Sequence, residues 1–289
     1  MAMEPRFHVI EKHGPIVVWK FSNPPRNLAS VETMEEYHQL LEAFENDPEL
    51  LVGIITSATP GKFIQHFDVS TISDWSKEMD EASEEERATI QEATEEIKVP
   101  TDFTTKPVIC AINGPLEGGG CELSLYCDFR FMSRDAFLGQ PEVNVGFPPG
   151  YGIPRMLQLI GLDKTLELCM TGRRVFADEA ERMGLVTRAC DPDQLDTEVL
   201  QFAMTLAGKP PVALSLIKKI VYGSCDMGLK EGLALNRDLF IEGIQSDYAK
   251  MMMHLYLLAG QDSEKLVAAI MTAEGDMVKA ADLLQSEAH

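Results

Sequence analysis

Three consecutive glycines, Gly118, Gly119 and Gly120, constrain this chain more than any other feature. They follow the apolar run Val108-Ile109-Cys110-Ala111-Ile112-Asn113 and lead straight into Cys121-Glu122-Leu123, which is helix-like. Glycine accepts backbone angles and close approaches that side chains forbid, so a strand can turn sharply into a helix here. Leu51-Val52-Gly53-Ile54-Ile55-Thr56 is a second short apolar run and also reads as a buried parallel strand. Strand, helix, strand, then a glycine turn into helix is the rhythm of right-handed βαβ units.

The flanking sequence fits that frame. Residues 7–11 and 16–21 read as a hairpin around Lys12-His13-Gly14-Pro15. Ser30 stands where a helix cap belongs, and residues 34–44 carry apolar side chains at helical spacing. The acidic segment 78–98, with Ile90 and Ile97 as a thin apolar stripe, reads as a solvated helix. From about residue 193 the sequence is helical nearly throughout, with breaks at Gly208-Lys209-Pro210-Pro211 and near Gly260. The expected fold class is α/β, with residues 1–192 forming the α/β core that carries the site. Residues 193–289 are expected to form an all-helical C-terminal region, to which the family resemblance set out below gives oligomerisation and pocket closure.

Charge and composition exclude several functions. A formal net charge of −21 disfavours nucleic acid and anionic membrane surfaces as partners. No run approaches the roughly 18 apolar residues of a membrane span. The N-terminal Met-Ala-Met-Glu-Pro-Arg lacks the layout of a signal peptide, so the cytoplasm is the expected compartment. An anionic ligand would need a local basic patch, for which Arg26, Lys62, Arg130, Lys218 and Lys219 are candidates. The six cysteines form no CxxC pair and no zinc-finger spacing, and they read as reduced thiols; no metal is expected.

Two carboxylates stand at telling positions. Glu122 closes the glycine run, and Glu142 follows Gly139-Gln140-Pro141. Amides at a glycine-rich helix start can hold a developing anion. Two carboxylates beside it can divide acid and base work if their surroundings separate their pKa values. The pattern points to an enzyme that polarises a carbonyl and moves protons next to it. The plainer alternative, that Glu142 merely caps the turn after Gln140-Pro141, is open on residue type alone.

Several blocks in order carry a family resemblance: residues 106–114, Gly118-Gly119-Gly120-Cys121-Glu122-Leu123, Cys127-Asp128, Gly139-Gln140-Pro141-Glu142, Pro149-Gly150-Tyr151-Gly152, and Met170-Thr171-Gly172-Arg173-Arg174 with Ala180 and Gly184-Leu185-Val186. Together they resemble the crotonase superfamily, and within it the enoyl-CoA hydratases, which carry both glutamates at the spacing of Glu122 and Glu142. The resemblance implies a crotonase-like ββα superhelix core and syn addition of water to a 2-enoyl-CoA thioester. Glu142 would protonate the α-carbon while Glu122 orients and deprotonates the water. The N–H groups of Gly119 and Phe67 would form the oxyanion hole, each donor lowering the barrier by about 3 kcal/mol.

By the same resemblance, CoA lies along residues 23–29. The implied substrate and CoA contacts are Arg26, Asn27, Leu28, Lys62, His66, Asp68, Gly118, Pro141 and Gly150. CoA is part of the substrate, so no separate cofactor is implied, and the partners are an acyl-CoA thioester and further copies in a homotrimer or homohexamer. The chain departs from the family at His66, where glycine is usual and a positive φ would strain a histidine, at Gln65, and at Glu117, where an apolar residue is common. Those departures keep a double-bond isomerase or C–C bond hydrolase open as alternatives.

Overall fold

The computed structural model describes residues 5–87, 99–273 and 275–287. The expected stripe at Ile90 and Ile97 lies outside the described residues. The chain divides into two compact units, 1–211 and 212–289.

In the first unit, β1 (His8–His13) and β2 (Ile16–Phe21) form the expected antiparallel hairpin. His13 pairs with Ile16, so the turn is tighter than the sequence suggests: two residues, with Gly14 at φ 59. β3 (Val52–Ser57), β4 (Val108–Ile112), β6 (Phe129–Ser133) and β9 (Arg188–Cys190) continue the sheet in parallel, in the order β1-β2-β3-β4-β6-β9. Every residue of β3 and β4 is buried, as a parallel sheet covered on both faces demands. Helix α1 (Val31–Asn46) covers one face with Tyr37, Leu40, Leu41 and Phe44, of which Tyr37 and Phe44 meet Trp19 edge-on. Each such large side chain contributes about 1.5–3 kcal/mol by leaving water. Ser30 caps α1 as expected: its Oγ accepts from the Thr33 amide, while the Thr33 hydroxyl oxygen accepts from the Ser30 amide at 2.8 Å.

The opposite face is covered by a helix that the sequence assigned to the C-terminal region. Leu195, Val199 and Ala203 pack on Ile16, Val18, Ile54 and Phe131. The boundary therefore falls at 211/212 rather than at 192/193, because this sheet face needs that apolar stripe. A second, three-stranded sheet holds β5 (Leu116–Glu117), β7 (Phe137–Gly139) and β8 (Val175–Phe176) in the order β5-β7-β8. Between and after these strands come α2 (Val69–Glu81), α3 (Gly119–Leu125), α4 (Gly152–Thr171, broken at Gly161), α5 (Ala177–Met183) and α6 (Leu195–Ala207). The second unit is wholly helical in its described residues, with a small core of Leu255, Ala259, Ala269, Ala273, Ala280 and Leu284.

Candidate active site

Beyond β4 the chain makes the two-residue strand β5 and reaches the glycines. Gly118 adopts φ 51 and ψ −127, angles reserved for glycine. A Cβ there would lie 2.5 Å from Glu142 Oε1. Gly120 is needed for another reason: a Cβ would collide with the Ile64 carbonyl, so the segment carrying residues 62–68 can approach only a glycine. Gly119 is the first residue of α3, and its N–H belongs to the helix-start donors that no helical carbonyl satisfies. Phe67 comes alongside. In a parallel bridge Ala29 uses both bonds, donating to His66 O at 2.9 Å and accepting from Asp68 N at 2.8 Å. The Phe67 amide therefore faces away from Ala29, and its nitrogen stands 3.2 Å from where a Cβ on Gly119 would be.

His66 escapes the expected strain: among the described residues the non-glycine positions with positive φ are Asn27 and Gln261. Its Nδ1 pairs with the Phe67 carbonyl at 2.7 Å, so Nδ1 carries the hydrogen and Nε2 of the neutral ring is an acceptor.

Glu122 is 4% exposed on α3. Its Oε1 accepts from the amides of Tyr151 (3.0 Å) and Gly152 (2.9 Å), and the Gly150 amide also donates to the carboxylate. Burial raises its pKa, and these three donors oppose the rise. Glu142 is half-buried on a 3₁₀ turn, Glu142–Val145, with Pro141 at its head. Its Oε2 is buried and has no partner. Burial first, then the charges of Glu122 and Glu117, push it up to about 7 against one opposing backbone bond. The pair thus differs in kind: Glu122 is steadied by amides, and Glu142 holds its proton near neutrality.

Gln140 is a residue whose role the sequence reading missed. It is 0% exposed, and neither polar atom of its amide has a partner. Its Nε2 lies 2.7 Å from where a Cβ on Gly152 would be, a position that also approaches Glu122. A buried amide with unmet hydrogen bonds marks space for a polar guest. Its one signal in the sequence is its place between Gly139 and Glu142.

Other expected contacts have different roles. Asn27 is 0% exposed and fully used inside the protein: Nδ2 donates to Ser57 Oγ (2.9 Å) and Phe63 O (2.7 Å), and Oδ1 accepts from Asn23 N (2.7 Å) and Thr59 Oγ1 (3.1 Å). Its side chain staples the loop along which the resemblance lays CoA. The Leu28 carbonyl accepts from Asn23 Nδ2 in the same loop. Asp68 caps α2, accepting from Ser70 N and Oγ, which hold its carboxyl low. Arg26 is exposed, and Lys62 Nζ donates to the Pro25 carbonyl at 3.1 Å, so both cations border the loop. Arg130 is no surface anion site: it is 4% exposed and donates to the carbonyls of Leu185, Ser124, Leu125 and Cys127. Cys121 is fully buried, which pushes its thiol far up and leaves it inert. Among the described residues no group of His, Cys, Asp and Glu is arranged to hold a metal, and no helix is long and apolar enough to cross a membrane.

Two glutamates near a glycine-led helix start, on an α/β core with a six-stranded and a three-stranded sheet, are the features to set beside known proteins. The family described as enoyl-CoA hydratase/isomerase matches residues 11–263. A short-chain-enoyl-CoA hydratase of Clostridium acetobutylicum is 30% identical over 251 residues, covering 86% of this chain and 94% of that protein. A crotonyl-CoA hydratase of Syntrophomonas wolfei is 30% identical over 234 residues, covering 80% and 87%. The enoyl-CoA hydratase subunit I structure from Geobacillus kaustophilus HTA426 is 30% identical, covers 88% of this chain and 96% of its own, and superposes with a TM-score of 0.78. The chain belongs to the enoyl-CoA hydratase/isomerase family and is an enzyme of the crotonase superfamily.

Proposed function

We propose that the enzyme adds water across the double bond of a 2-enoyl-CoA thioester. The thioester oxygen takes hydrogen bonds from the amides of Phe67 and Gly119 as it gains enolate charge. Glu122, aligned by its three amide donors, removes a proton from water, whose oxygen bonds to the β-carbon. Glu142 gives its proton to the α-carbon, so the product has gained one water. The observation that carries this reading is the unpaired, buried Oε2 of Glu142 on a carboxyl raised to about 7. A carboxyl that keeps its proton near neutral pH is suited to general acid work.

Arg26 and Lys62 are the proposed phosphate contacts, and His66, Gly118, Pro141 and Gly150 line the reacting end. A homotrimer or homohexamer in the cytoplasm is the proposed form. Loss of enoyl-thioester absorbance with crotonyl-CoA tests the activity; no loss with any enoyl-CoA would overturn it. The imidazole of His66, one residue before the proposed Phe67 donor, favours one alternative, isomerisation of a β,γ-unsaturated thioester. Turnover of that substrate without hydration would establish the alternative.

A further inference from the structure

Glu117 places a third carboxylate beside the two glutamates, at a position the hydration reading does not use. It stands opposite Gly139 in the β5–β7 pairing, and the next amide, that of Gly118, donates to the Gly139 carbonyl at 3.0 Å. Its own amide donates to Gln65 O at 2.7 Å, which ties it to the segment carrying His66 and Phe67. Gly118 is the residue over which Glu142 Oε1 lies, so Glu117 is anchored one residue from the Glu142 carboxyl.

The same sheet supplies a counter-charge. Gly139, in the middle strand, has no side chain, and a Cβ on it would stand 3.4 Å from Arg173 O and 3.8 Å from Arg174 Cα. Arg174 pairs with Glu117, with Nε 3.0 Å from Oε1 and Nη2 3.5 Å from Oε2. The guanidinium lies 4.1 Å over the Phe137 ring, which fixes its plane. Glu117 is 25% exposed at its side chain, so its charge is only partly screened by water.

We propose that Glu117, counterbalanced by Arg174 across Gly139, is a positioning residue for Glu142, keeping on that carboxyl the proton the reaction delivers. The proposal rests on the hydration reading. The groups facing Glu142 are Glu117 from β5, Glu122 and Cys121 from α3, Cys169 from α4 and His66 from the loop. Arg173 is held elsewhere by Glu167 and Glu179. Among these, the Glu117 charge is one of the causes that raise Glu142, and Glu117 is in turn paired with Arg174 at 3.0 Å.

The test is the pH profile of crotonyl-CoA hydration in the full chain. Glu117→Gln removes a negative charge, so the alkaline limb of kcat/KM should move down by about half a pH unit, the size of a partly solvated like-charge interaction. Arg174→Gln unmasks Glu117, so the limb should move up by a similar amount. Glu117→Asp should restore much of the original position. A residue that only props the sheet would harm both variants alike, so shifts in the same direction, or no shifts, overturn the proposal while hydration itself stands. Thermal melts confirm folding, and the shape-conserving Glu117→Gln decides the matter if Arg174→Gln is unstable: an unmoved limb refutes. If the unsubstituted protein hydrates no enoyl-CoA, the hydration reading fails and the proposal with it.

Discussion

Replacing Gly118 by alanine probes whether the Glu142 carboxyl works from where the structure holds it. The added Cβ would stand 2.5 Å from Glu142 Oε1, whereas real Cβ contacts begin at 3.0 Å and are comfortable beyond 3.4 Å. The carboxyl must therefore retreat by about 0.5–0.9 Å. Because that atom is the tip of a flexible side chain, the contact should cost position more than stability. A shift of that order in a reacting group lowers the rate by up to about 10²-fold. The positive φ adds about 1–3 kcal/mol of strain, a melting temperature lower by several degrees. Gly14→Ala is the control: it too has a positive φ, at 59, but nothing lies within 4 Å of the new Cβ. It should lose stability and keep kcat. Crotonyl-CoA hydration and thermal melts on both variants give the answer. A folded Gly118→Ala enzyme within about threefold of the unsubstituted rate would refute the reasoning, since Glu142 would then not need its present position.

Other consequences are open to measurement. Glu122→Gln and Glu142→Gln should each slow hydration by about 10²–10⁴-fold with CoA binding nearly intact; unchanged rates in both would remove the catalytic assignment. Hydration kcat/KM should fall as pH rises through about 7, because the acid form of Glu142 is lost there, and the fall should vanish in Glu142→Gln. His8 is buried against Phe21 and Tyr37 with Nδ1 2.8 Å from Glu36, and burial lowers its pKa below 6.5 despite that partner. The folded chain then binds this proton less well than the unfolded chain, so its contribution to stability is present above pH 6.5 and is lost as pH falls through the lower folded value. Urea midpoints at pH 7.5 and 5 should show that loss, and His8→Gln should reduce it. Arg130→Met, which strips donors from four carbonyls, should destabilise by about 3 kcal/mol, read as a lower urea midpoint.

The parts of the fold that were legible are those fixed by local pattern. β3 and β4 announce themselves as apolar runs because both faces of the sheet are covered, and Ser30 marks α1 because a cap is made within three residues. The second sheet gives no such sign: β5 and β8 have two residues each, too few for any alternation. The domain boundary failed for a related reason. The stripe Leu195, Val199 and Ala203 identifies an amphipathic helix but not the surface it will cover, and that surface lies on strands far earlier in the chain.

The same division runs through the site. The glycines were readable because their backbone angles and close approaches exclude other residues, and the glutamates because they stand at fixed distances from those glycines. Arg130 was a candidate by its charge, and Asn27 and Asp68 by the resemblance, yet the side chain of each is used by protein groups that neither signal reveals. Arg130 Nε bonds a carbonyl 55 residues away, and Asn27 bonds one 36 residues away. Gln140 is the converse, a polar side chain buried with its bonds unmet, and only the packing of Gly152 and Glu122 around it exposes that fact. A polar residue in a folded chain either finds a protein partner or waits for a guest. Of the buried polar atoms without a partner, the Gln140 amide packs by Gly152 and Glu122, and Glu142 Oε2 belongs to the carboxyl whose other oxygen stands over Gly118, which is why the proposed chemistry belongs at this point of the molecule.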